Sequence, residues 1–159
     1  MNATKNATKQ VHTKQIEQEK FVEFMTGGNS IFTLKSVKTG TRFTYKVVAG
    51  EQEPVFFVKV LTGSDNTADY TEMAIISAKD GKFPEMRRRA NSRISADAPA
   101  YKALEFVFFN CLVKAHMNNL EIWHEGRCCR CGRRLTVPES IESGIGPECA
   151  TKVLNYKIH

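Results

Sequence analysis

No apolar run in the chain approaches the roughly twenty residues needed to span a bilayer, and the N-terminus, Met-Asn-Ala-Thr-Lys, lacks the hydrophobic stretch of a secretion signal. These absences exclude a membrane-spanning helix and point to a soluble cytoplasmic protein with no membrane partner. The signatures of catalysis are missing too: no phosphate-binding loop, no H-E-x-x-H, no nuclease motif, and no nucleophile set beside a base. The expectation is a non-catalytic protein, with a nuclease or other hydrolase as the weakest reading. Cysteine is present in an odd number, five, and four of the five crowd into residues 128–149. In a reducing compartment that pattern favours metal over disulfides. The Asn2-Ala-Thr and Asn6-Ala-Thr sequences match glycosylation acceptors, which mean nothing without secretion.

At 159 residues, 42% hydrophobic and 25% charged, the chain has material for one medium domain with a small appendage. The net charge of +6 favours a polyanionic partner. Three zinc-bound thiolates leave a site charge of −1 and bring the total to about +5.

Residues 1–13 repeat Asn-Ala-Thr-Lys and read as a polar tail. A short helix is expected over 14–26, ended by Gly27-Gly28, although its apolar periodicity is poor. From Ser30 the period changes to two. Ile31–Val37 and Arg42–Val48 form a hairpin across Lys38–Thr41, with Phe43, Tyr45 and Val47 on one face and Arg42, Thr44 and Lys46 on the other. Val55–Leu61 and Tyr70–Ser77 continue an antiparallel meander, separated by a polar loop at 62–69 whose Asp65 and Asp69 read as turn residues. Residues 84–94 break the pattern. Pro99 then opens an amphipathic helix in which Leu104, Val107, Phe108, Cys111, Leu112 and Ala115 make the apolar stripe. Phe106, Phe109 and Val113 widen that stripe, so the helix is expected to be largely buried. Leu120–His124 is a short strand. The fold class expected is α+β, an antiparallel β-meander packed on a long helix with a small C-terminal zinc-finger module. Its divisions are a tail and short helix at 1–28, an α+β domain at 29–119 and the module at 120–159.

The module carries the chemistry. Cys128 and Cys131 form C-x-x-C followed by Gly132, the turn that lets two thiolates grip one ion, and Cys149 sits in the first turn of a helix opened by Gly146-Pro147. Zinc takes four N or S ligands in a tetrahedron, and Cys₃His is a common closed set. His124 is the expected fourth ligand, with Cys129, Glu148, His159 or water as alternatives. A helix N-terminus favours a thiolate and should lower the pKa of Cys149. Cys111 falls on the apolar helix face as a core residue, and His12 and His116 have no partner pattern. A segment of about forty residues rarely folds without such a staple. Knuckle, extended segment and ligand-bearing helix resemble a treble-clef or zinc-ribbon-like finger.

A wider resemblance rests on Phe32-Thr-Leu-Lys, Thr41-Arg-Phe-Thr-Tyr, Phe57, Leu61-Thr-Gly-Ser-Asp-Asn, Asp69-Tyr70, Ser92-Arg-Ile-Ser-Ala-Asp-Ala-Pro99, Trp123-His-Glu-Gly-Arg-Cys, Cys131-Gly-Arg-Arg-Leu-Thr-Val-Pro-Glu-Ser and Gly144-Ile-Gly-Pro-Glu-Cys149. These segments, spread over most of residues 29–150, resemble small phage-encoded proteins of unassigned function that end in a Cys-rich, zinc-finger-like domain. The resemblance implies a phage setting and a metal held by Cys128, Cys131 and Cys149 with His124. It implies no activity. Cys129 departs from the pattern, which often has Gly there.

Arginine supplies the second theme. Arg127, Arg130, Arg133 and Arg134 surround the knuckle, and Arg87, Arg88, Arg89 and Arg93 precede the apolar helix. Guanidinium groups pair bidentately with phosphate and stack on bases, so these eight residues are a candidate DNA- or RNA-binding surface. Solvated charge paired with Glu85, Glu121, Glu125 and Glu148 is the plainer reading. The leading functional expectation is a zinc-stabilised nucleic-acid-binding accessory protein. The alternative is a module that binds and modulates a host protein.

Overall fold

The computed structural model describes residues 14–52, 54–65, 67–78 and 84–151. The strands are β1 (Lys14–Gln15), β2 (Asn29–Ser36), β3 (Arg42–Ala49), β4 (Val55–Leu61), β5 (Tyr70–Ser77), β6 (Glu85–Arg88) and β7 (Leu120–His124). They form one sheet in the order β1-β7-β2-β3-β4-β5-β6, antiparallel throughout. The helices among the described residues are α1 (Gln18–Met25), α2 (Pro99–Leu112), α3 (Pro138–Ser143) and α4 (Pro147–Ala150).

β2 to β5 are the meander read from the alternation, and side-chain period two decides which residues go inward. Phe32 and Leu34 of β2, Tyr45 and Val47 of β3, and Val58 and Val60 of β4 are buried on one face. Their neighbours Thr33, Lys46 and Lys59 are only half covered on the other. The β2–β3 hairpin closes with Gly40 in the left-handed region at φ 79°, its N–H donating to the Ser36 carbonyl at 2.7 Å. The register between β4 and β5 slips between Val58 and Lys59. One extra residue on β5 breaks the alternation there, and Met73 and Ala74 are both fully buried as a result.

α1 and α2 cover the inner face. One side of α1 is inside: Phe21, Val22, Phe24 and Met25 are buried, while Glu19, Lys20 and Glu23 stay exposed on the other. Phe21 meets Phe32 edge-on at 4.9 Å, and Phe32 stacks on Tyr45 at 5.4 Å. The Tyr45 hydroxyl donates to the Ala100 carbonyl at 2.7 Å, tying the sheet to the start of α2. Burial raises its pKa, so it stays a donor.

Two expectations change. First, α2 is an ordinary helix of 14 residues, about 21 Å long, rather than a long one. It buries Tyr101, Leu104, Val107, Phe108 and Cys111, but Phe106, Phe109 and Val113 are 61%, 60% and 53% exposed. At 100° per residue they point away from the sheet, and a helix lying on a sheet buries only one side. Second, residues 85–88, read as a break, form the edge strand β6. An edge needs pairing on one side only, and its charged residues are the kind that discourage further pairing. Leu120–His124 is a strand as expected, and it sits inside the sheet between β2 and β1.

Leu104 is fully buried on α2, so Leu104→Ala should lower stability by about 2–5 kcal/mol in urea unfolding. A change below about 1 kcal/mol would mean that α2 does not hold the core as described.

Candidate metal centre

The loop after β7 is shaped by its own backbone. Arg127 and Arg134 form an antiparallel bridge, flanked by Leu135 N–H to Gly126 carbonyl at 2.7 Å and Cys128 N–H to Arg133 carbonyl at 2.8 Å. The knuckle turns at Gly132, which has φ 80°. A single helical turn, α4, then brings Cys149 back towards it. The Sγ atoms of Cys128, Cys131 and Cys149 all lie within 4.8 Å of one another. A tetrahedral ion with metal–sulfur bonds of about 2.3 Å places its sulfurs about 3.8 Å apart, so the trio is able to hold a metal ion. Among the described residues, no fourth His, Cys, Asp or Glu joins it.

The donor chemistry fits a cation. Burial pushes the Cys128 thiol up, but N–H groups of Cys131, Gly146 and Arg130 outweigh it and bring the pKa down to about 7. Two of these are seen as contacts to its sulfur, from Gly146 at 3.3 Å and Arg130 at 3.4 Å. Cys149 moves the other way. Burial and then hydrogen bonding with the Cys131 thiol raise its pKa, with Cys128 adding to the effect. The single turn of α4 gives no net lowering, because burial first and the neighbouring thiols after it carry the Cys149 pKa upward. Crowded thiols resist becoming three thiolates together, and a bound cation removes that resistance.

His124 is not brought to the trio. Strand alternation sends it to the inner face beside Ile122, where it is 2% exposed and packs at 5.4 Å from Phe24. Its Nδ1 accepts from the Gly126 N–H at 3.0 Å, which leaves the proton on Nε2, donated to the Ile141 carbonyl at 2.8 Å. The residue braces α3 against the sheet, outside the trio. Cys129, 2% exposed, is a core residue; burial raises its pKa to about 12. Glu148 is exposed outside the trio, and His159 and His12 lie outside the described residues.

The module is fastened to the core around Cys129. Its N–H donates to the Gly144 carbonyl at 2.8 Å, and its carbonyl accepts from the Asn29 N–H at 2.7 Å. A Cβ on Gly27 would lie 2.5 Å from the Cys129 sulfur and 2.8 Å from its carbonyl oxygen, so only glycine permits this approach. The Gly27-Gly28 pair, by sequence alone a helix stop, is the one trace of this lock in the sequence.

The arginines divide. Arg133 and Arg134 are exposed and line, with Glu148 and the three cysteines, a cavity of about 480 Å³. Exposed Arg127 pairs with Glu125 at 3.7 Å, and half-buried Arg130 approaches the Cys149 sulfur at 4.0 Å. In the other cluster Arg88 donates to the Ser92 and Ile94 carbonyls at 3.3 and 3.0 Å. Arg89 pairs with Glu72 at 3.3 Å, while Arg87 and Arg93 are exposed. β6 and β7 are five strand spacings apart, about 24 Å, so the two clusters do not merge. The Asp65 carboxylate accepts from Thr67 and Ala68, and Asp69 from the Asp65 N–H, which makes the 62–69 loop a self-capped turn.

Residues 123–154 match DUF6011, a family of unknown function. No curated protein and no solved structure matches the chain. The family match covers the cysteine module and leaves the meander outside it.

Cys128→Ser and Cys149→Ser should each abolish tight binding of one metal ion per chain, measured by competition with a chromophoric chelator, whereas His124→Gln should retain it. Binding should weaken as pH falls from 7 to 5, because protons compete for the thiolates. Metal loss in His124→Gln together with retention in Cys149→Ser would overturn this ligand assignment.

Proposed function

We propose that the protein is a non-catalytic, zinc-stabilised nucleic-acid-binding protein. Three thiolates suit zinc, a soft-tolerant ion with no redox chemistry of its own. In this reading the ion shapes the module, and arginine makes the contact. The observation that carries the proposal is the placement of Arg133 and Arg134, exposed on the loop that leaves the knuckle and facing the same cavity as the thiols. Metal binding, worth about 10–16 kcal/mol in small zinc modules, then fixes the positions of two phosphate-pairing groups. The phage setting implied by the resemblance, and the choice between DNA and RNA, belong to this same reading. No helix among the described residues is long and apolar enough to cross a membrane.

A second reading, a module that modulates a partner protein, is favoured by Phe106, Phe109 and Val113. Phe106 and Phe109 lie on α2 and Val113 caps its end, at i, i+3 and i+7, and all three are more than half exposed. An exposed apolar stripe of this spacing suits an amphipathic helix or groove on another protein.

Anisotropy of labelled oligonucleotides, titrated with salt, separates the two readings. Arg133→Gln/Arg134→Gln should weaken binding and reduce the salt slope by about 1.4 for a single strand, or about 1.8 for a duplex. An unchanged slope removes the arginine surface. Phe106→Ser/Phe109→Ser should leave nucleic-acid affinity unaltered.

A further inference from the structure

α1 and α2 cover one face of the sheet, and the opposite face has a chemistry of its own. Along one row on that face, Ile31, Lys46, Lys59 and Glu72 stand side by side on β2 to β5. Lys46 and Lys59 are direct cross-strand neighbours. Like charges in that position destabilise an antiparallel pair, and among the described residues neither lysine has an ion-pair partner. Two acids on the face are engaged elsewhere: Glu72 pairs with Arg89 at 3.3 Å, and Glu121 accepts from the Trp123 indole at 3.0 Å. The sheet therefore carries two adjacent like charges on this face.

Aromatic rings flank them. Tyr70 lies under the Lys46 ammonium at 5.8 Å, and Phe57 lies under the Arg89 guanidinium at 5.1 Å. Trp123 is on the same face of β7, in register with Thr33. All three rings are half-buried rather than enclosed. Rings and guanidinium planes interleaved with lysines form the kind of surface on which unpaired bases stack while phosphates are neutralised. A duplex fits poorly. Its bases are shielded by stacking, and six strands from β7 to β6 span about 24 Å, twice the roughly 12 Å width of a major groove.

We propose that this outer sheet face binds single-stranded nucleic acid, with Lys46 and Lys59 meeting phosphates and Trp123, Tyr70 and the Arg89–Phe57 pair receiving bases. The site rests on the nucleic-acid reading and extends it. It also gives the separated arginine clusters a shared path, since Arg87 stands at one margin of the face and Arg127, beside Glu125, lies just beyond the end of β7.

Trp123 is the only tryptophan in the sequence, so its emission reports on this face directly. The metal-loaded full chain is titrated at low salt with a single-stranded 12-mer of DNA, its RNA counterpart and the corresponding duplex, following anisotropy and tryptophan emission together. The expected result is quenching by a single strand and about tenfold weaker binding in Lys46→Gln/Lys59→Gln, with the salt slope reduced by about 1.4. Binding with unchanged emission, or with unchanged affinity in the lysine variant, overturns the sheet-face site and leaves the arginine reading standing. No binding of any strand at low salt removes the nucleic-acid reading and this site with it.

Discussion

The insertion of β7 between β1 and β2 is the constraint on which the rest of the structure depends. Leu120–His124 comes late in the chain, yet it pairs with Ser36–Phe32 on one side and Gln15–Lys14 on the other. That pairing draws the C-terminal cysteine loop against the N-terminal helix and sets which side each residue of the segment faces. Alternation does the remainder. Trp123 goes to the open face of the sheet and His124 to the closed one, although the two are adjacent. One strand thus supplies both a core brace and a candidate contact for a partner.

The metal site inherits its position from this arrangement. A thiol trio on a loop is ordinarily a flexible feature, but here the same loop inserts Cys129 into the core. Hydrogen bonds to Gly144 and Asn29 hold it there, and the absence of a side chain at Gly27 permits the contact. Gly144, in the left-handed conformation at φ 81°, ends α3, and a Cβ there would meet the Phe24 ring. The cysteine module is therefore integrated with α1 and β2, not suspended from them. Electrostatics explains why a cation suits the trio: backbone N–H groups favour the Cys128 thiolate, while the burial and crowding that raise Cys149 are offset by positive charge at the centre.

Among the described residues helices cover only one side of the sheet, and this asymmetry organises the surface. The inner face is apolar and closed. The outer face keeps lysines and half-buried rings, while the outward side of α2 keeps Phe106, Phe109 and Val113. The two proposed modes of recognition therefore occupy different surfaces, one basic and aromatic and the other apolar.

What the sequence by itself determined were the features fixed by short-range spacing. Period-two alternation located β4, β5 and β7 at their observed bounds and the β2–β3 hairpin to within two residues. C-x-x-C-G and Gly-Pro-Glu-Cys identified Cys128, Cys131 and Cys149, because a knuckle and a single helical turn are set by neighbouring residues. The tertiary structure alone decided the exclusion of His124 from the trio, the exposure of Phe106, the existence of β6 and the juxtaposition of Lys46 with Lys59. Each depends on an element distant in the chain: the strand beside β7, the sheet beneath α2, the edge of β5, and the register of β3 on β4. Sequence spacing states which residues share a side of an element. It does not state which side the rest of the protein covers, because that is settled by the packing of non-local surfaces competing for the same apolar face.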